Sequence, residues 1–160
     1  MKLKLFFRML LCSVALLSFA ACSDNDDDAP FIDDGVICYV GAISVDQNDG
    51  TVFKDNNVKI DLTFYPEGKT ATMVVNQVKF AEKMPIRLDM TVKGLAFNQV
   101  GNSISLTGSG IVPEAMGGPY PAYTITKFNG VATGEQFSFE MMCGTYPVSF
   151  VGQASLTSSN

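Results

Sequence analysis

Apolar and polar residues alternate along most of the chain after residue 35. The alternation is clearest at residues 59–65, 86–93 and 137–141, where every second side chain is apolar. Successive side chains of a β-strand point to opposite faces, so this period predicts strands with one buried and one solvated face. Such strands are typical of antiparallel sheets, because parallel sheets are usually covered on both sides.

Turn-forming residues separate the alternating runs. They cluster at residues 48–50, 55–57, 66–68, 101–102, 129–130 and 133–134, and such clusters favour tight reversals. Between them the pattern predicts eight strands, near residues 36–45, 57–65, 69–80, 86–93, 103–109, 122–128, 135–143 and 146–154. No segment carries a long apolar stripe at helical spacing. The predicted fold is therefore all-β, an antiparallel barrel or sandwich of about eight strands over residues 35–160.

One segment interrupts the alternation. Residues 111–121 contain three prolines and the pair Gly117-Gly118, which exclude a regular strand. Long irregular loops often cover or gate a binding site, so Met116, Tyr120 and Tyr123 are candidates for a lid or for contact with a partner. The other interpretation is a plain crossover that closes one end of the barrel.

The first 21 residues have the pattern of an export signal. Three basic residues and no acidic one precede an apolar run from Met9 to Ala21. This run is shorter than the roughly 20 residues that a membrane-spanning helix needs. Phe19-Ala20-Ala21-Cys22 resembles the lipobox of bacterial lipoproteins, which implies cleavage before Cys22 and a membrane anchor on its sulfur. An ordinary secreted protein, cleaved near Ala21, is the alternative.

Residues 22–34 predict an acidic, disordered tether. They contain six Asp residues and few apolar ones, too little to form a packed core. Removing residues 1–21 leaves 8 basic and 16 acidic side chains, a net charge of −8, whereas from Gly35 onward 8 basic side chains face 10 acidic ones, a net charge of −2. We expect no nucleic-acid partner, because that would require a basic face.

The acidic cluster also bears on location and metal binding. It resembles the signal that sends some bacterial lipoproteins to the outer face of the outer membrane, so anchorage in the cell envelope, at the outer membrane and with surface exposure, is what the resemblance implies. A soluble linker is the alternative. Asp24, Asp26 and Asp28 match the first three ligands of an EF-hand loop, but Ala29 and Gly35 stand where the loop requires Gly and Glu. No metal site is expected.

Two cysteines are left for the folded region. Cys12 leaves with the signal and Cys22 is assigned to the lipid, so Cys38 and Cys143 remain, in the first and the next-to-last predicted strands. Thiols in exported proteins often form disulfides. Two buried free thiols are the alternative, and the sequence does not give the Cα separation that would decide between them.

Three short apolar motifs resemble calycin-like β-barrel lipoproteins. Residues 39–45 look like their first strand, residues 78–80 with Met84-Pro85 resemble their central strand and the turn after it, and residues 148–152 are similar to their closing strand. The resemblance implies an up-and-down barrel. Calycins in the wider sense, lipocalins included, commonly hold small apolar ligands inside the barrel, although a fold does not determine a function.

The chain lacks the side chains of most catalytic and metal sites. It has no His, which excludes His-based triads, the Cys–His dyad and most zinc sites. It carries no phosphate-binding or dinucleotide-binding glycine pattern. Asp61, Asp89 and Glu140 fall on the polar phase of their strands, where solvated surface charges are expected rather than a catalytic carboxylate pair. The sequence therefore predicts no enzyme, no catalytic residue and no cofactor.

Two functions stay open. In the first, the barrel binds a small apolar ligand, and the candidate lining residues are the large apolar side chains of the inner phase, namely Phe64, Met73, Met90, Phe137, Phe139 and Met141. The interior of a barrel of about eight strands is either filled by side chains or just wide enough for one small ligand. The alternative is therefore that the same side chains form a solid core. In the second, an accessory lipoprotein contacts an envelope protein through its loops, with Tyr120 and Tyr123 as candidates.

Overall fold

The alternating runs form strands in a computed structural model that describes residues 35–155. In chain order the strands are β1 (Val36–Asp46), β2 (Val52–Tyr65), β3 (Thr70–Val78), β4 (Leu88–Val100), β5 (Ser103–Gly108), β6 (Glu114–Ala115), β7 (Gly118–Pro119), β8 (Ile125–Ala132), β9 (Gln136–Cys143) and β10 (Tyr146–Ala154). Two short 3₁₀ turns lie at Pro66–Gly68 and Pro121–Tyr123. The predicted signal peptide and tether, residues 1–21 and 22–34, lie outside the described residues.

The sheet closes on itself as an up-and-down barrel. Its order is β3-β2-β1-β10-β9-β8-β5-β4, and β3 pairs with β4 to complete the circle. Every pairing is antiparallel, and each long strand pairs with its neighbours in the sequence. The short β6 and β7 form a hairpin that pairs with β4. The predicted all-β antiparallel up-and-down barrel of eight strands is therefore confirmed, and it is compatible with a calycin-like fold.

Two predicted turns are wrong because the sheet accommodates their residues. Residues 55–57 lie inside β2, which begins at Val52. The pairing of β2 with β1 shifts its register there, between Gly41 and Ile43 of β1, so the strand continues through these residues. Residues 129–130 lie inside β8. Gly130 serves packing there, because a Cβ would meet the side chains of Phe128, Phe139 and Phe137 at 3.1–3.3 Å.

Two further predicted strands have the wrong bounds. β4 was expected to end at residue 93, but it continues to Val100 because Gly94 adopts a positive φ of 77°, which only glycine reaches without strain. Its predicted start at Ile86 is also wrong, since the strand begins at Leu88. The strand predicted at residues 122–128 begins instead at Ile125, because Pro121–Tyr123 forms a 3₁₀ turn.

Aromatic rings fill the barrel interior. The ring of Phe139 stacks on Phe128 and Phe150, with centroids 5.1 and 5.6 Å apart, and Phe137 lies 5.5 Å from it. Tyr39 adds its ring 5.3 Å from Phe137. These five side chains are at most 3% exposed, and together they leave no space for a ligand between them.

The two ends of the barrel differ in their connections. At one end, here called the turn end, the strands are joined by residues 66–69, 101–102 and 133–135. At the other, here called the mouth, the connections are residues 47–51, 79–87, 109–124 and 144–145.

The chain enters and leaves the barrel at the turn end. Ser155 donates its backbone N–H to the carbonyl of Cys38 at 2.7 Å, which places both termini of the described chain together. Tyr39 closes the interior there by donating its buried hydroxyl to the carbonyl of Thr133 at 2.7 Å. Among residues 35–155 there is no helix that is both long and apolar enough to cross a membrane.

Candidate functional site

A cavity of about 330 Å³ lies at the mouth. Its size falls at the lower end of the range of roughly 300–1,000 Å³ that is typical of ligand sites. The floor is formed by inward-facing strand residues, among them Val45, Met90, Cys143 and Val148. The cavity therefore begins where the aromatic filling of the barrel ends.

One wall of the cavity is the loop of residues 79–87. Its apolar side chains Phe80, Met84 and Ile86 line the cavity. The backbone pairing of β3 with β2 ends at Lys59↔Asn76, before this loop begins. Side-chain hydrogen bonds therefore hold the loop against the neighbouring strands.

Two side chains provide this fastening. Gln47 donates its Nε2 to the carbonyl of Phe80 at 3.0 Å. Arg87 donates its Nη1 to Asp55 Oδ2 and to the carbonyl of Gln77, both at 2.7 Å. The carboxylate of Asp55 is only 8% exposed, so the Arg87–Asp55 pair closes the gap between β2 and the loop.

The roof of the cavity is the connection from β5 to β8, residues 109–124, here called the lid segment. The three candidates of this segment, Met116, Tyr120 and Tyr123, all line the cavity. The segment is attached through backbone hydrogen bonds between Ile111 and Ile125, at 2.7 and 3.1 Å, and through pairing of β6 with β4. Thus the segment is both a crossover and a cover over the mouth.

Cys143 lies at the floor as a free, buried thiol. Its Sγ donates to the carbonyl of Tyr123 at 3.6 Å, which links β9 to the lid segment. Burial raises the pKa of Cys143 to about 11, so the thiol is neutral at physiological pH. Burial also raises the pKa of Cys38. The positive charge of Lys59 acts against this increase, and the nearby carboxylate of Asp61 adds to it.

No disulfide joins Cys38 and Cys143; both are free thiols. Cys38 lies beside Ser155 at the end of β10, whereas Cys143 pairs with Tyr146 at its beginning. The length of β10 separates them by roughly 25 Å at about 3.3 Å per residue, and a disulfide needs Cα atoms within about 7 Å. The structure therefore has two buried free thiols, which was the alternative to a disulfide in the sequence analysis.

The predicted lining residues divide into two groups. Met90 lines the mouth cavity. The others, Phe64, Met73, Phe137, Phe139 and Met141, are buried in the packed core and do not line it. These five therefore do not contribute to the mouth cavity, because inward alternation identifies the barrel interior without indicating which part of it the side chains fill.

The cavity is electrically neutral. Of the residues described, 35–155, none that lines it carries a formal charge. Glu114 pairs with Lys93 at 2.7 Å on the exposed side of the lid segment. No group of three or more His, Cys, Asp or Glu that could hold a metal ion occurs in this part of the chain. The arrangement can exclude water and hold an uncharged apolar molecule.

Two other carboxylates considered in the sequence, Asp61 and Asp89, are engaged away from the cavity. Asp61 accepts a hydrogen bond from Asn76 at 2.8 Å and pairs with Lys59 at 3.2 Å. Asp89 accepts two hydrogen bonds from Gln77, which lower the pKa of this carboxyl.

Sequence reasoning missed much of the mouth. Val45, Phe80, Met84 and Tyr146 line the cavity but were not candidates. A signal was present in the connection at residues 79–87, because its apolar residues Phe80, Met84 and Ile86 are unusual for a solvated turn. The contribution of Tyr146, in contrast, depends on which strand ends meet at the mouth.

No protein-family model matches the chain, and neither a curated protein nor a solved structure matches it significantly. The functional interpretation therefore depends on the geometry of the mouth and on the sequence.

Proposed function

We propose that this protein is a lipid-anchored envelope lipoprotein of the calycin-like family, whose barrel binds one small, neutral, apolar ligand at its mouth. The observation that carries the proposal is the cavity of about 330 Å³ beneath the lid segment, with no charged lining residue. Transfer of apolar surface from water into such a site is favourable by about 25 cal/mol per Å². A charged group would lose its hydration there without gaining a partner.

The position of the chain ends supports an orientation for the anchored protein. Gly35 and Ser155 lie at the turn end, opposite the mouth. A lipid on Cys22 would be connected to the turn end by the 13 residues that lead from it to Gly35, which span at most roughly 45 Å when extended. The mouth would then face away from the membrane, and the ligand would enter from the aqueous side.

Ligand binding can be tested with N-phenyl-1-naphthylamine, a neutral apolar dye. The chain from residue 22 onward, carrying Cys22→Ser, lacks both the lipid and the apolar signal and so avoids detergent, which would compete for the cavity. We expect saturable fluorescence at one dye per chain. Val148→Phe places a ring at the cavity floor and should weaken binding at least about tenfold, whereas Val151→Phe, on the outer face of the same strand, should change it less than about twofold. Absence of saturable binding to the Cys22→Ser chain, or equal binding by both Phe variants, contradicts the proposal.

The anchor requires a separate test. Metabolic labelling with an alkynyl fatty acid, followed by fractionation, should find the wild-type chain labelled and in the membrane fraction. Cys22→Ser should abolish the label, and Cys12→Ser serves as the matched control because it should leave the label in place. A Cys22→Ser chain that is still labelled contradicts the assignment of the lipid to this residue.

An accessory role through the loops is the second candidate. It is favoured by apolar side chains exposed around the mouth, because Ile86, Val112, Met116 and Tyr123 are 41–67% exposed and aromatic or Met residues are common at protein contacts. Crosslinking in intact envelopes distinguishes the two roles. A partner that is lost with Tyr123→Ala but kept with Val148→Phe supports contact through the loops. Absence of any crosslinked partner, together with dye binding that is lost with Val148→Phe, supports the ligand site.

A further inference from the structure

We propose that Met116, at the tip of the β6–β7 hairpin, is an adaptable binding contact for the ligand, and that its strained backbone is retained for this purpose. The inference rests on the proposed function and extends it to one residue of the lid segment. The hairpin turn consists of Met116 and Gly117, with φ angles of 51° and 82°. Two successive positive φ angles are typical of a type I′ turn, whose first position favours Asn, Asp or Gly.

Methionine is an unfavourable choice for this backbone. A residue with a Cβ in the left-handed region brings that carbon close to the next carbonyl, and Met has no short polar group that could offset the cost by a local hydrogen bond. Packing does not compensate either, because Met116 is 67% exposed. Its sulfur accepts only a long hydrogen bond, from the hydroxyl of Tyr120 at 3.5 Å.

The side chain of Met116 forms part of the cavity lining. Met116 lines the mouth together with Tyr120 of the lid segment and Met84 of the loop of residues 79–87. A ligand that enters the cavity would cover the exposed part of the Met116 side chain, and the apolar surface so buried would offset the backbone strain. Since Met is flexible and polarisable, it adapts to apolar ligands of different shapes.

The hairpin is held weakly enough to adjust. β6 pairs with β4 through two residue pairs only, Met90↔Ala115 and Thr91↔Glu114. The exposed Lys93–Glu114 ion pair is a further attachment to β4, whereas the hydrogen bond from Tyr120 N–H to the carbonyl of Pro113 at 2.8 Å lies within the lid segment. Segments with few buried contacts open more readily than the barrel core. Met116 can therefore move to admit a ligand and then contact it.

The test separates strain from binding. Met116→Asn relieves the strain and removes the apolar contact, and Met116→Leu keeps both. Lys69→Asn is the matched control, because Lys69 has a φ of 48° but lies at the turn end. All three are made in the Cys22→Ser chain, and dye affinity and the ligand-free melting temperature are measured.

We expect Met116→Asn to leave the melting temperature unchanged or raise it, while weakening the binding of N-phenyl-1-naphthylamine at least about fivefold. Met116→Leu and Lys69→Asn should each keep the affinity within about twofold. If Met116→Asn binds the dye as tightly as the parent chain, or lowers the melting temperature as a structural residue would, the role of Met116 is overturned while the proposed function stands. A parent chain that does not bind the dye overturns both.

Discussion

At the turn end of the barrel, Tyr39 closes the interior and the connections are as short as residues 101–102, whereas at the mouth connections as long as residues 109–124 surround a cavity. The same eight strands form both ends. Towards the turn end their inward positions carry the interlocking rings around Phe139. Towards the mouth they carry smaller or flexible side chains, such as Val45, Met90 and Cys143.

This difference shows how one closed sheet separates stability from function. Stacked rings and short turns give the packed half the density of a protein interior, where changes of volume are costly. The mouth is built largely from loops, which can vary without disturbing the sheet. Substitutions in the two halves should therefore differ in what they affect.

The largest effect is expected at the seam between β1 and β10. Gly41 lies opposite Gly152, and a Cβ on Gly41 would collide with the backbone of Val151 and Gly152. Because backbone atoms of a closed sheet cannot move aside, Gly41→Ala should cost about 5 kcal/mol or more, comparable with the whole stability of a small domain. Loss of the cooperative urea transition, followed by circular dichroism, checks this.

Gly118, in the mouth hairpin, provides the comparison. A Cβ there would meet nothing within 4 Å, so Gly118→Ala should change the free energy of unfolding by less than about 0.5 kcal/mol. Equal effects of the two substitutions would show that the wall is no more tightly packed than the mouth.

The next effect concerns the aromatic filling. Phe139 is 3% exposed and stacks on two other rings, so Phe139→Ala should cost about 3–5 kcal/mol through lost burial and the cavity that it leaves. Tyr123→Ala at the mouth, where the side chain is 43% exposed, should cost less than about 1 kcal/mol. Urea denaturation of both variants measures the difference, and a Phe139→Ala cost below about 1 kcal/mol would contradict a packed interior.

An intermediate effect depends on pH. Burial raises the pKa of Cys143 from 9.0 to about 11, so the folded chain holds this proton more tightly than the unfolded chain. The resulting stability is complete below pH 9 and is lost as the pH rises towards 11. Between pH 8 and pH 11, under reducing conditions, the wild-type chain should lose roughly 2 kcal/mol more stability than Cys143→Ala. Parallel pH profiles of the two chains would contradict a buried thiol.

The smallest effect concerns the hydroxyl at the turn end. Tyr39→Phe removes the hydrogen bond to the carbonyl of the half-buried Thr133 and should cost about 1 kcal/mol, the usual net contribution of such a bond. Tyr146→Phe, beside the mouth cavity, should stay within about 0.5 kcal/mol of the wild-type value. Thermal unfolding of both variants is the measurement, and a larger loss for Tyr146→Phe would reverse the comparison.

The fold could be predicted because inside–outside alternation is a local property. Residues 137–141 show it without interruption, and β9 follows it. The turns predicted at residues 55–57 and 129–130 were wrong. Their residue types favour turns locally, but contacts with distant parts of the chain place them in strands. For Gly130 the reason is space for three phenylalanine rings, and no local pattern reveals it.

The candidate site could be predicted only in part. Met116, Tyr120 and Tyr123 were identifiable because prolines and glycines interrupt the alternation around them, and all three line the cavity. The position of the cavity along the barrel axis was not identifiable. Phe137 and Met90 both belong to the inward phase, and only the stacking of the rings decides that Phe137 fills the core while Met90 faces a cavity.

The methionines offer the most direct test of the central claim, that the interior is solid and the ligand binds at the mouth. With ¹³C-methyl methionine in the Cys22→Ser chain from residue 22 onward, the methyl signals can be followed while N-phenyl-1-naphthylamine is added. We predict saturable shifts for Met84, Met90 and Met116, which line the cavity, and unchanged signals for Met73 and Met141, which are packed in the core. Shifts centred on Met73 and Met141, or no saturable shift at the mouth, would contradict the account.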